Sequence, residues 1–321
     1  MMRISAVVPA FNEAAGIREF LRDLLAELNS IGEAEAIVVD DGSTDTTWQA
    51  LLEAARESPQ VTGIRLTRNF GKEVAILAGL RASSGGLVVV LDADGQHPVH
   101  LISKMYEVYC ATGVPVVEAV KAQRQEEGAV RGALSRAFYR IFAGATGISL
   151  KGATDFKLME RRVVETYLAM PERRRFFRAL TRWMGYPIGT VPFVPPPRRH
   201  GASRWSAGRL VSLAWSSLKA FSIAPLRIVT FLGLLTLAAT GVLGAHTMLQ
   251  WLRGEAAAGF PTVILLQLGI GSVLMISVGL VGEYLGQVYE EVKARPPYVV
   301  REVTTTQAAR PGDGSSDDVS D

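Results

Sequence analysis

The sequence predicts an α/β domain on a mostly parallel sheet, then an amphipathic helix at a membrane interface and a hairpin of two membrane-spanning helices. Three observations carry this reading. Short β-branched runs alternate with helically spaced apolar residues over the first 112 residues. Three of those runs end in polar turns, PAFNE, DDGSTD and DADGQHP. Two long apolar runs stand late in the chain, at about 228–249 and 262–284.

The elements follow in order. Residues 4–9 (ISAVVP) form a first strand, and Ile17, Phe20, Leu21, Leu24, Leu25 and Leu28 space a helix over 13–29. Residues 36–40 (AIVVD) and 61–66 (VTGIRL) are strands, each followed by a helix, near 45–57 and 71–83. The run 87–91 is a fourth strand, with a helix near 98–112, a strand at 114–120 and a helix near 130–145 beyond it. Continuous apolar strands separated by amphipathic helices are the pattern of a parallel sheet covered on both faces. Ligands of such sheets bind beyond the carboxyl ends of the strands, so the three polar turns should meet at one rim.

The stretch 192–203 (PFVPPPRRHGAS) is Pro-rich and irregular. The segment 204–227 mixes Trp205, Leu210, Leu213, Trp215 and Phe221 with Arg209 and Lys219, which suits a helix lying in the membrane interface. Each of the two apolar runs is long enough to span about 30 Å of hydrocarbon at about 1.5 Å per residue. Arg209, Lys219 and Arg227 precede the hairpin, Lys293, Arg295 and Arg301 follow it, and the connecting loop has Arg253 alone. The positive-inside rule therefore puts both flanks in the cytoplasm. The end, 302–321, lacks a core pattern and is expected to be disordered. The domain expectation is a catalytic domain over 1–203, an interfacial region over 204–227, two membrane helices over 228–284, and a cytoplasmic tail over 285–321.

Composition agrees with a membrane protein. The 321 residues are 48% hydrophobic and 20% charged, with a formal charge of +3, too small to argue for nucleic acid. Cys110 is the only cysteine, which excludes an intrachain disulfide and a thiolate metal cluster. The opening MMRISAVVPAFNE has no signal-peptide pattern, because its apolar run meets Pro9 and Glu13 at once.

The acidic turns point to chemistry. Asp92 and Asp94 stand at the end of a strand, where residues two apart face the same way. Two carboxylates held together repel unless a cation or proton is shared. Mg²⁺ or Mn²⁺ fits, since such ions take one or two carboxylates plus substrate phosphates; Gln96 could add a contact. In VVDDGSTDTT, Ser43 or Asp45 can cap the next helix, whereas Asp40 and Asp41 could hydrogen-bond a base or ribose. Neither G-x-G-x-x-G nor G-x-x-x-x-G-K-[ST] occurs, so a Rossmann or P-loop glycine turn is not expected to hold the phosphates. Arg68 and Lys72 are candidates to support the site, although Lys72 reads equally well as a solvated helix residue. His97 reads as structural. Two basic sets, Arg198, Arg199, His200, Ser203 and Arg204, and Lys121, Arg124 and Arg131, could bind phosphate or attract anionic lipid.

PAFNE, VVDDGSTDTT, TRNFGKEVAILAGL, VLDADGQHP, TDFKLM, FFRALTRWMGY, RHGASRW and VGEYLGQVYEEVKARPPY occur in this order over roughly residues 3–301. Together they resemble the family 2 glycosyltransferases that act on polyprenyl phosphates, the dolichol-phosphate mannose synthase-like enzymes, in the bacterial branch with two C-terminal transmembrane helices. The resemblance implies a glycosyltransferase-A fold with a Rossmann-like sheet, a nucleotide-sugar donor, a divalent metal and a lipid-phosphate acceptor. It gives Pro9, Phe11, Glu13 and Asp41 to the nucleoside. It gives Asp92, Ala93 and Asp94 to the nucleotide sugar, with Asp92, Asp94 and Gln96 on the metal. Asp155 matches the aspartate considered as the base, and could instead orient an arginine or a sugar hydroxyl; Asp155 and Asp94 are the expected catalytic residues. Arg199, His200, Ser203 and Arg204 fall by the diphosphate, and Lys121, Arg124 and Arg131 in the acceptor region. The family usually has Lys where Arg204 stands. Processive polysaccharide synthases carry Gln-x-x-Arg-Trp; here Ala179 stands in place of that glutamine before Arg182 and Trp183, which disfavours polymer synthesis.

The expected reaction is an inverting transfer of one sugar to undecaprenyl phosphate at the cytoplasmic face of the bacterial inner membrane, with UDP-glucose as the donor guess. Two alternatives stand beside it, transfer to a diacylglycerol-type hydroxyl and a catalytically silent nucleotide-sugar binder. A homo-oligomer, a tetramer as in relatives, is a further expectation from the family that residue spacing does not supply.

Overall fold

A computed structural model describes residues 3–122, 143–144, 147, 152–173, 175–194, 196, 224–254 and 260–304. The expected helix near 130–145 and the interfacial helix lie almost wholly outside these residues.

The first half is a doubly wound unit. Strands β1 (Arg3–Ala10), β2 (Glu33–Asp40), β3 (Val61–Leu66) and β4 (Leu87–Val90) are parallel, in the spatial order β4-β1-β2-β3. Helices α1 (Ile17–Ile31), α2 (Thr47–Glu57) and α3 (Lys72–Ala82) connect them, and α4 (Leu101–Thr112) follows β4. Alternation along the strands makes two cores. Ile4, Ala6 and Val8 of β1, with Leu87 and Val89 of β4, pack on α1, α2 and α4. Val7, Val88 and Val90 face the other way, onto Ile76, Leu77 and Leu80 of α3. Both faces are covered, and this is why the strands read as unbroken apolar runs.

After β1 the chain adds β2 and β3 on one side, then crosses to add β4 on the other. The switch point therefore lies between the loops following β1 and β4, where ligands of open α/β sheets bind. Beyond β4 the pattern changes. Strand β5 (Val116–Lys121) is followed by β6 (Lys157–Glu160), which runs antiparallel between β4 and β5. Helices α5 (Arg161–Ala169) and α6 (Phe177–Trp183) add Val163, Val164, Tyr167, Phe177 and Leu180 to the second core. Strand β7 (Ile188–Phe193) pairs parallel with β5.

Two long helices follow, α7 (Ala224–Leu252) and α8 (Phe260–Val292). They touch each other and expose Leu234, Leu235, Met275 and Ile276. Val229–Gln250 and Gly269–Val292 are long and apolar enough to cross a membrane.

The start of the tail differs from the sequence reading. Of the expected disordered end, 302–321, residues 305–321 lie outside the described residues, whereas β8 (Val300–Val303) pairs antiparallel with β3 at the edge of an eight-stranded sheet of order β7-β5-β6-β4-β1-β2-β3-β8. Its apolar residues are half exposed, so it leaves no burial pattern to read. Its hold is polar. Thr67 and Thr304 donate backbone N–H groups to Val299 and Gly63 carbonyls at 3.0 and 2.8 Å. Gly63 N–H donates to the Thr304 hydroxyl at 2.7 Å, and Trp48 Nε1 donates to Glu302 at 2.8 Å.

Candidate active site

The loops after β1, β2 and β3 form one rim, as the parallel sheet requires. Asn12 and Glu13 donate backbone N–H groups to the Ser43 and Thr47 hydroxyls, each at 2.9 Å, and Thr44 N–H donates back to Asn12 Oδ1 at 2.9 Å. Ser43 thus ties two loops together and does not cap α2. Asp45 does meet the helix start, accepting the Thr47 N–H at 3.0 Å. Gly42 has φ +68°, and a Cβ there would lie 2.4 Å from the Arg68 carbonyl carbon, so only glycine lets these loops close backbone to backbone.

Asp40 and Asp41 are both buried and both serve the rim itself. Asp40 Oδ1 accepts the Ser43 N–H at 2.8 Å, and Oδ2 lies 3.5 Å from Arg65. Asp41 accepts the Phe70 and Gly71 N–H groups at 2.7 and 2.9 Å, and burial still pushes its carboxyl up. In this arrangement both carboxylates hold the loops of the rim at which the sequence reading places a base or ribose contact. Pro9 is buried in β1, and Phe11 and Glu13 are half-buried just beyond it. Glu13 opens with Phe20, Asp23, Ala93, Asp94 and His97 onto a cleft of about 630 Å³ at the switch point.

The paired aspartates part company. Strand β4 ends at Val90, so strand alternation no longer governs Asp92 and Asp94. Asp94 lines the cleft, its Oδ1 accepting the Gln96 N–H at 3.0 Å. Asp92 binds Lys72, whose ammonium lies 2.7 and 2.8 Å from its two oxygens. The same ammonium lies 2.7 Å from Asp155. Lys72 is thus one cation that relieves the charge on Asp92. Burial would raise the Asp92 carboxyl, but Lys72 outweighs it and holds it below its ordinary value. Burial would likewise lower the Lys72 ammonium, and Asp155 and Asp92 instead push it up. His97 is buried, stacks on Phe156 at 5.1 Å, and accepts the Asp92 N–H on Nδ1 at 3.0 Å. Burial lowers its pKa, so it stays neutral there.

Asp155 stands beside Asp92 because β6 is antiparallel and enters the sheet at the rim where β4 leaves it. It is 5% exposed and receives the Arg178 fork at 3.1 and 2.8 Å besides Lys72. Burial would raise its carboxyl; Lys72 and Arg178 hold it well below the usual carboxylate range. Such a group is a weak base, and this geometry favours the reading in which it orients an arginine. One residue after Lys72, Glu73 accepts the Phe177 N–H at 2.8 Å, and burial together with the Asp155 charge pushes it up to about 7.

Arg178, Glu73 and a buried pair were not singled out from the sequence. Glu118 and Lys157, neighbours across β5 and β6, are wholly buried and meet at 2.7 Å. Arg182 joins Glu118 at 2.7 Å. The available signal was FFRALTRW, whose two arginines stand four apart and so share a helix face. Lys121 ends β5 and is exposed. Arg124, Arg131, Arg199, His200, Ser203 and Arg204 lie outside the described residues.

Among the described residues, no three His, Cys, Asp or Glu side chains converge to hold an ion by themselves. The donors at hand, Asp94 with Asp92 and Gln96, are oxygen donors and few. That set fits a hard divalent ion that completes its shell with substrate phosphates.

The model of glycosyl transferase family 2 matches residues 5–168. An uncharacterized glycosyltransferase of Synechocystis is 36% identical over 308 residues, 94% of this chain and 96% of its own. The prophage bactoprenol glucosyl transferase homolog of Escherichia coli is 34% identical over 94% of this chain and 99% of its own. The bactoprenol glucosyl transferase of Shigella phage SfII is 34% identical, with 94% and 98% covered. The chain belongs to glycosyl transferase family 2. In this family 2 glycosyltransferase the match ends inside α5, so α6 with Arg178 and the two long helices fall outside the family model. Among solved structures, glucosyl-3-phosphoglycerate synthase from Mycobacterium tuberculosis overlaps loosely: 20% identity, 68% of this chain, 78% of that chain, TM-score 0.47.

Proposed function

We propose that this glycosyltransferase moves one sugar from a nucleotide sugar to a polyprenyl phosphate, with inversion, at the cytoplasmic face of a bacterial inner membrane. UDP-glucose is the proposed donor, and Mg²⁺ or Mn²⁺ the proposed ion. The observation that carries the reading is the near full-length likeness to proteins named bactoprenol glucosyl transferase, two apolar helices included.

The chemistry follows from the acceptor. A phosphate monoester is already ionised at neutral pH, so its oxygen attacks the anomeric carbon without a strong base. The bond to the nucleoside diphosphate breaks on the opposite face, and the configuration inverts. Asp94 and Asp92, with Gln96 near, would hold a divalent ion, which when bound would supply neutralisation of charge on the departing diphosphate. Glu13 and Asp94 border the cleft proposed for the donor. Lys72 keeps Asp92 and Asp155 charged and fixed, and Asp155 orients Arg178. A diacylglycerol hydroxyl would need a base, and the suppressed basicity of Asp155 speaks against that acceptor. The two basic sets, Lys121, Arg124 and Arg131, and Arg199, His200, Ser203 and Arg204, are the proposed contacts of acceptor phosphate and diphosphate.

The test supplies membranes containing the protein with undecaprenyl phosphate, Mg²⁺ or Mn²⁺, and a panel of radiolabelled nucleotide sugars. Label from UDP-glucose should enter the lipid phase and vanish with EDTA or with Asp94→Asn. Label on diacylglycerol alone, or nucleotide binding without transfer from any donor, overturns the reading.

A further inference from the structure

The last turn of α8 touches the catalytic domain at one well-defined place. Arg173, in the loop between α5 and α6, donates its backbone N–H to Glu291 Oε1 at 3.0 Å, across 118 residues of sequence. The Arg173 guanidinium stands 3.9 Å from the other oxygen, long for an ion pair. The directional contact is thus from helix end to loop backbone.

That loop is stiff. Arg175 folds back over it, donating Nε to the Glu172 carbonyl at 3.0 Å and Nη1 to the Tyr167 carbonyl at 2.7 Å, with Nη2 on the Met170 carbonyl. Its guanidinium lies 4.9 Å from the centre of the Tyr167 ring. Immediately afterwards α6 begins, with Phe177 N–H on Glu73 and the Arg178 fork on Asp155. From Asp155 the contacts continue through Lys72 to Asp92. A displacement of the loop moves the start of a seven-residue helix whose first turn carries Arg178.

We propose that Glu291 is a positioning residue for sugar transfer: by holding the Arg173 backbone it fixes the loop before α6, and so seats Arg178 on Asp155. The long helices are then part of the active centre as well as an anchor. The proposal rests on the transferase reading above for its kinetic arm, and on geometry alone for its second arm.

Glu291 is exposed, and an ion pair of that kind contributes little to stability. A merely structural role therefore leaves turnover untouched. Positioning predicts that Glu291→Ala lowers kcat about tenfold, since small misplacements far from the chemistry carry costs of that size or more. The KM for nucleotide sugar should stay within about twofold. Glu291→Gln keeps an acceptor oxygen and should restore turnover. Arg173→Ala keeps the backbone N–H and should turn over like the parent. In an Arg178→Ala background, Glu291→Ala should add no further loss, because its effect runs through Arg178. Unchanged kcat in Glu291→Ala, failed rescue by Gln, or losses that multiply with Arg178→Ala overturn the proposal.

The second arm needs no substrate. Amide exchange of the full-length protein in membranes should quicken at Arg173 and Phe177 in Glu291→Ala and not in Glu291→Gln. Quickened exchange alongside an inactive parent sinks the transferase reading and leaves the linkage standing. Unchanged exchange sinks the linkage.

Discussion

Glu73 shows how one side chain can carry a pH dependence for the whole domain. Its carboxyl is raised from 4.5 to about 7 by burial and by the Asp155 charge. Between those values the folded protein keeps a proton that the unfolded chain gives up. Stability therefore falls as pH rises through that window, and the loss is complete above about pH 7. Glu73→Gln keeps an oxygen for the Phe177 N–H and has no proton to lose. We expect the variant to lose less stability than the parent across the window and, at pH 8, to be more stable than the parent by about 1–2 kcal/mol. Thermal unfolding in detergent at pH 5 and pH 8 checks this; parallel pH responses would remove Glu73 as the cause. Asp155 has the opposite sign. Its carboxyl is lowered, so its contribution is present above the unfolded value of 3.8 and is lost as pH falls below it. The two windows do not overlap.

Among the elements, β8 makes the sharpest demand. Gly63 N–H is buried under the Thr304 hydroxyl, and a Cβ on Gly63 would come within 2.9 Å of the Thr304 methyl. Thr304→Val strands that N–H, which should cost about 1–3 kcal/mol, and Thr304→Ser should return most of it. A melting temperature unchanged by Thr304→Val would mean the tail is not closing the sheet. Legibility also divides at this scale. Strands β1 to β4 were plain in the sequence because each holds a β-branched apolar run buried on both faces, and an amphipathic helix follows each. Strands β6, β7 and β8 were not: KLME, IGTVPF and VREV carry charges or a proline, and no crossover helix announces an antiparallel return. The site divides in the same way. Asp92 and Asp94 stood out because they are near in sequence to each other and to a strand end. The partners that decide their state do not: Lys72 lies 20 residues from Asp92 and 83 from Asp155, and Arg178 joins Asp155 only through the return of β6.

For the molecule as a whole, the sheet constrains the hairpin. Strand β7 precedes α7 and α8, β8 follows them, and both strands belong to one sheet. If the two helices cross a bilayer, they must leave from and return to the side that holds the sheet. Cys110, exposed on α4 and the only cysteine, reports that side without engineering. Arg253→Cys in a Cys110→Ser background reports the other. An impermeant thiol reagent should label Arg253→Cys but not Cys110 in right-side-out vesicles, and the reverse in inverted ones. Labelling of both positions from the same side would mean that the hairpin does not span.

The order of synthesis gives β8 a further meaning. The ribosome makes β3 early and β8 only after both long helices. At about 5–20 residues per second, the β3 edge waits roughly ten to fifty seconds for its partner. During that time Trp48 Nε1 and the Gly63 N–H have no mate on the nascent chain, and an uncovered strand is a template for pairing with another molecule. A shortened gene that stops before α7, the usual route to a handy soluble fragment, would make that interval permanent. The fragment would carry every residue of the carboxylate centre and would still be the wrong reagent, because the strand that seals it is encoded on the far side of the hairpin.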